Sequence, residues 1–319
     1  MRVNRIGIVL AAVLLTGCAP GVSEELAYTD ARVDAVYASM QEEEGRTGTF
    51  AENLCVIMGD EESADSQVNA EAAAVFGIDD QTVLFQKNVF ERLYPASMTK
   101  VMTALVALKY ADLDEPVTVG DETVITEAGA SLCNIKPGDT LTMEQLLYGL
   151  MLPSGNDAGA AIAVHMAGSV EGFADMMNRE ARTLGATDTH FLNPHGLHDE
   201  NHYTTAYDLY LIFNEAFKQP QFRSIIGTKE YHVSYTGGDG STKTQVWKNS
   251  NRYLSGETGT PAGLTVLGGK TGTTQAAGYC LIMASENQEG GDYISVVMKA
   301  DSRPNLYENM TNIIQKIVN

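Results

Sequence analysis

Basic residues are scarce in this chain of 319 residues: 21 lysines and arginines stand against 41 aspartates and glutamates, a net charge of −20. That balance excludes a nucleic-acid partner, because neutralising phosphates takes clustered Lys and Arg. It equally excludes electrostatic adhesion to an anionic lipid surface. Long apolar runs are also missing, and no stretch approaches the roughly 18 residues that a membrane-spanning helix needs. Internal repeats and low-complexity blocks are absent. What remains is 44% hydrophobic and 19% charged, the composition of a globular protein able to bury a core. The length allows one large domain or two modest ones.

The first 20 residues carry an address. Met1 to Arg5 holds two positive charges, Ile6 to Leu15 is apolar, and Leu15-Thr16-Gly17-Cys18 follows. An apolar run this short covers about half of a bilayer core, so it reads as the h-region of a signal peptide, residues 1–17. The closing tetrapeptide resembles the lipobox of bacterial lipoproteins, in which the cysteine becomes residue one and receives a diacylglyceryl group. The plain alternative is a secretory signal beside an unrelated Cys18. Two acyl chains give a stable anchor where one is marginal. The expectation is an exported protein held on the outer face of the cell membrane by lipid on Cys18. Losing Arg2 and Arg5 with the leader leaves 19 basic against 41 acidic residues, a net charge of −22.

Cysteine is nearly absent beyond that point, with only Cys55, Cys133 and Cys280 remaining. An odd count permits at most one internal disulfide and leaves a free thiol. Cys55 and Cys280 sit in apolar, strand-like runs and read as buried thiols. No CxxC spacing supports a zinc site.

Residues 18–49 read as an acidic tether with one short helical pattern, capped by Thr29 and carried by Val33, Val36, Tyr37 and Met40. From residue 50 the composition becomes domain-like. Leu54 to Met58 reads as a strand, and Ala72 to Ile78 with Thr82 to Lys87 read as a hairpin around Asp79-Asp80. Tyr94 to Leu108 is apolar nearly all round, as an interior helix should be. Residues 112–225 read as mostly helical, with helical periodicity at Met143–Leu152, Asp157–Ala167 and Val170–Leu184. Strands return at Glu230–Tyr235, Ala277–Ala284 and Tyr293–Lys299. A last helix puts Leu306, Met310, Ile313, Ile314 and Ile317 on one face. Strands at both chain ends with helices between predict an α+β fold: a mostly antiparallel sheet flanked by helices, plus a helical subdomain at about 112–225. A cleft between the two parts is the natural seat for chemistry.

Three short motifs carry that chemistry. In Ser97-Met98-Thr99-Lys100, helical spacing brings the hydroxyl and the amine to the same face. The helix N-terminus favours a developing alkoxide and a neutral amine. Alone, the tetrad reads equally as a capping serine with an unrelated lysine. Ser154-Gly155-Asn156 follows Pro153 in a tight connection whose side chains can enter a cleft. By itself it would be a turn. Lys270-Thr271-Gly272-Thr273 has flanking glycines that allow close backbone approach, and its cation and hydroxyls suit a carboxylate. A phosphate loop fails there, because position 265, where the first glycine belongs, is Thr.

In this order, SxxK, SxN and KTG match the motif set of penicillin-binding proteins and serine β-lactamases. The departure is Gly155, where the middle motif of that set has Asp. Tyr94–Leu108, Leu152–Gly159, Phe191–Leu209 with Asn193-Pro194-His195-Gly196-Leu197, and Gly268–Cys280 together resemble the D-alanyl-D-alanine carboxypeptidases among the low-molecular-weight penicillin-binding proteins. The similarity runs over roughly residues 70–300. It implies cleavage of the terminal D-Ala-D-Ala bond of peptidoglycan stem peptides through an acyl-enzyme, with β-lactams as covalent inhibitors. By position, the resemblance makes Ser97 the nucleophile, Lys100 the base and Ser154 the proton relay. Asn156, Lys270, Thr271 and Thr273 then bind substrate, with the backbone N–H groups of Ser97 and Thr273 facing the oxyanion. Arg252, in Asn251-Arg252-Tyr253-Leu254, resembles a family arginine near the substrate carboxylate. Many members append a C-terminal β domain; with 47 residues after Gly272, the expectation here is a single domain over residues 50–319 without it.

Three rivals stay open on sequence. His195, His198, Asp199 and His202 invite a metal, but they lack an HExxH helix or another ligand spacing; no metal or cofactor is expected. A serine β-lactamase shares all three motifs, although no ExxLN-like segment follows Asn156. A lipoprotein that binds β-lactams or muropeptides without turnover is the third.

Overall fold

The computed structural model of the protein describes residues 53–57, 63 and 65–318. The leader, Cys18, the tether with its helical pattern and Met58 lie outside the described residues. Asp79 and Asp80 turn β1 (Ala72–Gly77) back on β2 (Val83–Lys87), where Asp80 accepts from both the amide and the hydroxyl of Thr82. After a 3₁₀ turn at Ala96–Thr99 comes α1 (Lys100–Tyr110), in which every residue from Lys100 to Ala107 is buried. Each large apolar side chain buried there contributes about 1.5–3 kcal/mol relative to exposure.

The middle of the chain adds β3 (Pro116–Thr118), β4 (Thr140–Thr142), α2 (Met143–Met151), α3 (Asn156–Ala167) and α4 (Val170–Thr183). Next come α5 (Ala206–Phe217), α6 (Pro220–Gly227), β5 (Glu230–Thr236), β6 (Thr242–Lys248) and the single turn α7 (Arg252–Ser255). The chain closes with β7 (Leu264–Thr274), β8 (Gly278–Asn287), β9 (Asp292–Ala300) and α8 (Arg303–Ile314). Side-chain caps fix several helix starts: Thr142 and Gln145 form a reciprocal capping box on α2, and Ser169, Thr205 and Ser302 cap α4, α5 and α8. Each such cap is worth about 1 kcal/mol.

Five strands from the two chain ends form one antiparallel sheet in the order β2-β1-β9-β8-β7. Its two faces bury alternate residues. Ala72, Ala74 and Phe76 join Ile294, Val296 and Met298 in the core that contains α1 and α5. Ala73 and Val75 join Leu281, Met283 and Val297 against Leu306, Met310, Ile313 and Ile314 of α8. The fold is therefore α+β, a mostly antiparallel sheet with helices on both faces. With both faces covered, these strands read as apolar runs.

A second antiparallel sheet, ordered β3-β4-β5-β6, is built from the chain between β2 and β7. Residues 112–225 hold five helices, but also β3, β4 and long irregular stretches between them. The boundary expected near 225 crosses this second sheet, where Thr140 of β4 pairs with Thr236 of β5. Residues 53–57 are not a strand: the Cys55 N–H donates to the Tyr210 hydroxyl and its carbonyl accepts from Tyr207. Tyrosine hydroxyls replace the strand ladder there. Cys55, Cys133 and Cys280 are free and buried.

Candidate active site

Ser97 lies in the 3₁₀ turn that leads into α1, not in the α-helix itself. The turn is sharp enough to hold Ala96 at φ +47°, a left-handed conformation that costs a non-glycine residue on the order of 1 kcal/mol. Two glycines make room for it. Any β-carbon at Gly196, itself at φ +84°, would overlap the Ala96 carbonyl. One at Gly272 of β7 would sit 2.8 Å from the Pro95 oxygen and 3.1 Å from the Ser97 nitrogen. The Ser97 turn is thus held between the 193–197 loop and the strand that carries Lys270.

Lys100 is the first residue of α1 and is fully buried. Its Nζ lies 3.0 Å from Ser97 Oγ, 2.6 Å from Asn156 Oδ1 and 2.7 Å from the His195 carbonyl oxygen. Burial pushes its pKa well below the usual lysine range, Lys270 pushes it further, and Asp157 pulls against both. A neutral amine has two N–H donors and one lone pair. Asn156 Oδ1 and the His195 carbonyl can only accept, so they take the two donors. In the neutral amine the lone pair is then free to accept from the Ser97 hydroxyl, 3.0 Å away. That is the arrangement a general base requires.

The 193–197 loop is built to present the His195 carbonyl. Asn193 Oδ1 accepts from the His195 and Gly196 amides, and the Thr103 hydroxyl of α1 donates to the Pro194 carbonyl at 2.6 Å. The imidazoles themselves are packing groups. Burial drives the pKa of His195 down to about 3 and that of His202 to about 4. His202 Nδ1 accepts from the Leu192 amide, and its other nitrogen lies 2.8 Å from the Thr99 hydroxyl. His198 meets the Tyr94 ring edge-on.

Ser154 and Asn156 stand at the start of α3. Ser154 adopts φ +65°, and its hydroxyl oxygen is buried with no hydrogen-bond partner among the described residues. A buried orphan hydroxyl invites a ligand or a water. Asn156 Oδ1 is committed to Lys100, which turns the amide NH₂ into the end that can meet a substrate.

Among the described residues β7 is an edge strand paired only with β8, and its Gly272 abuts the Ser97 turn. Lys270 is buried at 1% exposure, its pKa is lowered by burial to about 7, and its Nζ donates to the Thr271 carbonyl. The Thr271 hydroxyl lies 2.7 Å from that of Ser250. These two hydroxyls, Thr273, Tyr279, Arg303 and Tyr307 line a cavity of about 60 Å³. Arg252 is not among those lining residues. It pairs with Glu257 at 3.4 Å and its guanidinium lies over the Tyr307 ring. The arginine in the cavity is Arg303, at the start of α8, which sequence reasoning missed along with Ser250 and the His195 carbonyl. Arg303 lies well beyond the KTG motif, and only the docking of α8 on the sheet brings it back.

Lys100 therefore joins Ser97 to Asn156, while Lys270 and Thr271 approach from the other side along β7. The profile of the D-alanyl-D-alanine carboxypeptidase family, peptidase S11, matches residues 59–302. The chain belongs to this family. Among curated members it is 34% identical over 259 residues to the D-alanyl-D-alanine carboxypeptidase DacF of Bacillus subtilis, covering 80% of this chain and 63% of that one. It is 35% identical to the D-alanyl-D-alanine carboxypeptidase of Streptomyces sp. strain K15, covering 73% and 81%. With the Escherichia coli enzyme DacC it shares 38% identity over 68% of this chain and 53% of that one. The chain thus spans between about half and four fifths of these relatives' lengths. The crystal structure of the Streptomyces K15 DD-transpeptidase superposes with a TM-score of 0.73 at 32% identity, covering 81% of this chain and 98% of the other. That likeness accounts for the sheet-and-helix architecture of this D-alanyl-D-alanine carboxypeptidase family member.

Proposed function

We propose that the protein is a serine-type D-Ala-D-Ala carboxypeptidase that removes the terminal D-Ala from peptidoglycan stem peptides. The observation that carries this reading is the desolvated Lys100 amine, 3.0 Å from Ser97 Oγ and hydrogen-bonded to Asn156 Oδ1 and the His195 carbonyl. In the first step the Ser97 proton passes to Lys100, and Oγ bonds to the carbonyl carbon of the penultimate D-Ala. The carbonyl electrons move onto oxygen, which faces the backbone N–H groups of Ser97 and Thr273; such donors stabilise the charge that develops. The C–N bond then breaks. The leaving nitrogen takes the proton back from Lys100, with the orphan hydroxyl of Ser154 as relay. Water repeats the sequence on the ester and frees the shortened peptide.

The substrate backbone adds to the open edge of β7, a recognised way for a sheet to bind an extended peptide. The Asn156 amide NH₂ meets a substrate peptide group. The terminal carboxylate enters the cavity of Thr271, Thr273, Ser250 and Arg303, under the field of Lys270. A β-lactam acylates Ser97 by the same first step. The leader and Cys18 support attachment to the outer face of the membrane through lipid, and a Cys18→Ser protein that still partitions with membranes would remove that part.

The decisive test compares covalent labelling by a fluorescent penicillin with release of D-Ala from a stem pentapeptide. Wild type does both and Ser97→Ala does neither. D-Ala release by Ser97→Ala overturns the mechanism, and rapid penicillin turnover by wild type reassigns the protein as a β-lactamase.

A further inference from the structure

Asp157 follows the SxN motif directly, yet no step of the proposed reaction uses it. Its carboxylate is 1% exposed and accepts four backbone N–H groups. Oδ1 takes Cys133 at 2.9 Å and Ala158 at 3.0 Å, while Oδ2 takes Asn134 at 2.8 Å and Ile135 at 3.2 Å. The start of α3 needs this help, because its N-cap is Gly155, which has no side chain to offer. In return the carboxylate holds residues 133–135 in a tight path, with Asn134 at φ +66°. The same loop supplies the Ser131 carbonyl that accepts the Asn156 amide at 2.8 Å. The backbone of Asn156 is therefore fixed by a loop that Asp157 ties down.

We propose that Asp157 is a positioning residue for acylation: by clamping the 131–135 loop onto the start of α3, it aims the side-chain oxygen Oδ1 of Asn156 at Lys100. It sits, as well, where its charge acts on the buried lysines. The groups that act on Lys100 are Lys270 from β7, His195 from the 193–197 loop, Cys133 from the clamped loop and Asp157 from α3. Of these, Asp157 is the one carboxylate, and it favours the ammonium against burial and Lys270.

The inference rests on the reading of Lys100 as the base, and its test separates the two. Fluorescent-penicillin acylation is measured against pH for wild type, Asp157→Asn and Asp157→Glu. If wild type is not acylated, the function fails, whatever Asp157 does. If it is, Asp157→Asn should acylate roughly tenfold to a hundredfold more slowly, the usual cost of an ångström-scale misplacement. Its amide NH₂ cannot accept the N–H groups it faces. Without the anion Lys100 holds its proton less well, so the rise of rate with pH should begin at lower pH than in wild type. Asp157→Glu keeps the charge and should slow acylation with that rise unmoved. Because Asp157 acts through Asn156, Asp157→Asn should cost little more in an Asn156→Ala background. Full additivity, or a pH profile of Asp157→Asn identical to wild type, overturns the assignment. If Asp157→Asn fails to fold, Asp157→Glu decides: wild-type acylation by that variant overturns it too.

Discussion

Asn156 Oδ1 lies 2.6 Å from Lys100 Nζ, closer than the 3.0 Å that separates the same nitrogen from the Ser97 hydroxyl. An amide oxygen at that distance orients the amine without charging it. A carboxylate would do the opposite. In Asn156→Asp an anion of nearly the same shape meets a desolvated amine, and an adjacent opposite charge stabilises the ammonium. Lys100 then keeps its proton to higher pH, and a protonated amine cannot accept the Ser97 proton. Penicillin acylation at neutral pH should fall by about tenfold or more, and its rise with pH should move upward. The thermal midpoint should stay near that of wild type, since the pair remains bonded. Unchanged acylation with an unchanged pH profile would mean that Lys100 is not the base.

Gly196 offers a test of how the Ser97 turn is held. Two penalties meet at this position: φ +84°, and the Ala96 carbonyl where a β-carbon would go. Gly240 has nearly the same backbone, φ +80°, with nothing within 4 Å of its β-carbon position. Gly240→Ala should therefore cost only the conformational part, about 1 kcal/mol. Gly196→Ala adds displacement of the Ser97 turn, so it should lower the thermal midpoint further and slow acylation. Gly240→Ala should acylate as wild type does. Equal effects of the two substitutions on acylation would show that the turn does not depend on Gly196.

Much of this site was legible in the sequence because its parts are local. Ser97 and Lys100 share a turn, Ser154 and Asn156 share a connection, and Lys270 shares a strand with Thr271 and Gly272. The β1–β2 hairpin was equally local, declared by two apolar runs around Asp79-Asp80. The illegible parts depend on contacts far apart in the chain. β6 carries Thr, Lys and Gln through most of its length, with its two large apolar residues, Val246 and Trp247, adjacent; no alternation announces a strand. Trp247 nevertheless points inward and donates to the Cys133 carbonyl, tying the second sheet to the loop beneath Asn156. Leu54–Met58 shows the reverse failure. Of its described residues Cys55 is buried while Val56 is exposed, and burial of Cys55 beneath tyrosine hydroxyls needs no strand.

The arginine of the cavity beside Thr271 is the sharpest case, because sequence resemblance pointed to Arg252 and the cavity lining holds Arg303. Arg252 spends its charge on Glu257 and covers the Tyr307 ring, outside the cavity lining. Arg303 lines the cavity beside Thr271 and Ser250, whose hydroxyls lie 2.7 Å apart. A guanidinium can grip a carboxylate through two parallel hydrogen bonds, an interaction worth about 1.5–3 kcal/mol for a charged partner. Arg303→Ala should thus lower kcat/KM for a peptide ending in a free carboxylate by roughly tenfold to a hundredfold. The loss should shrink for a C-terminally amidated peptide, on which wild type itself should already be slow. Arg252→Ala should change kcat/KM by less than threefold or so, as expected for an exposed ion pair of about 0–1 kcal/mol. If the two substitutions exchange these outcomes, the carboxylate is held by Arg252 and the cavity beside Thr271 serves another part of the substrate.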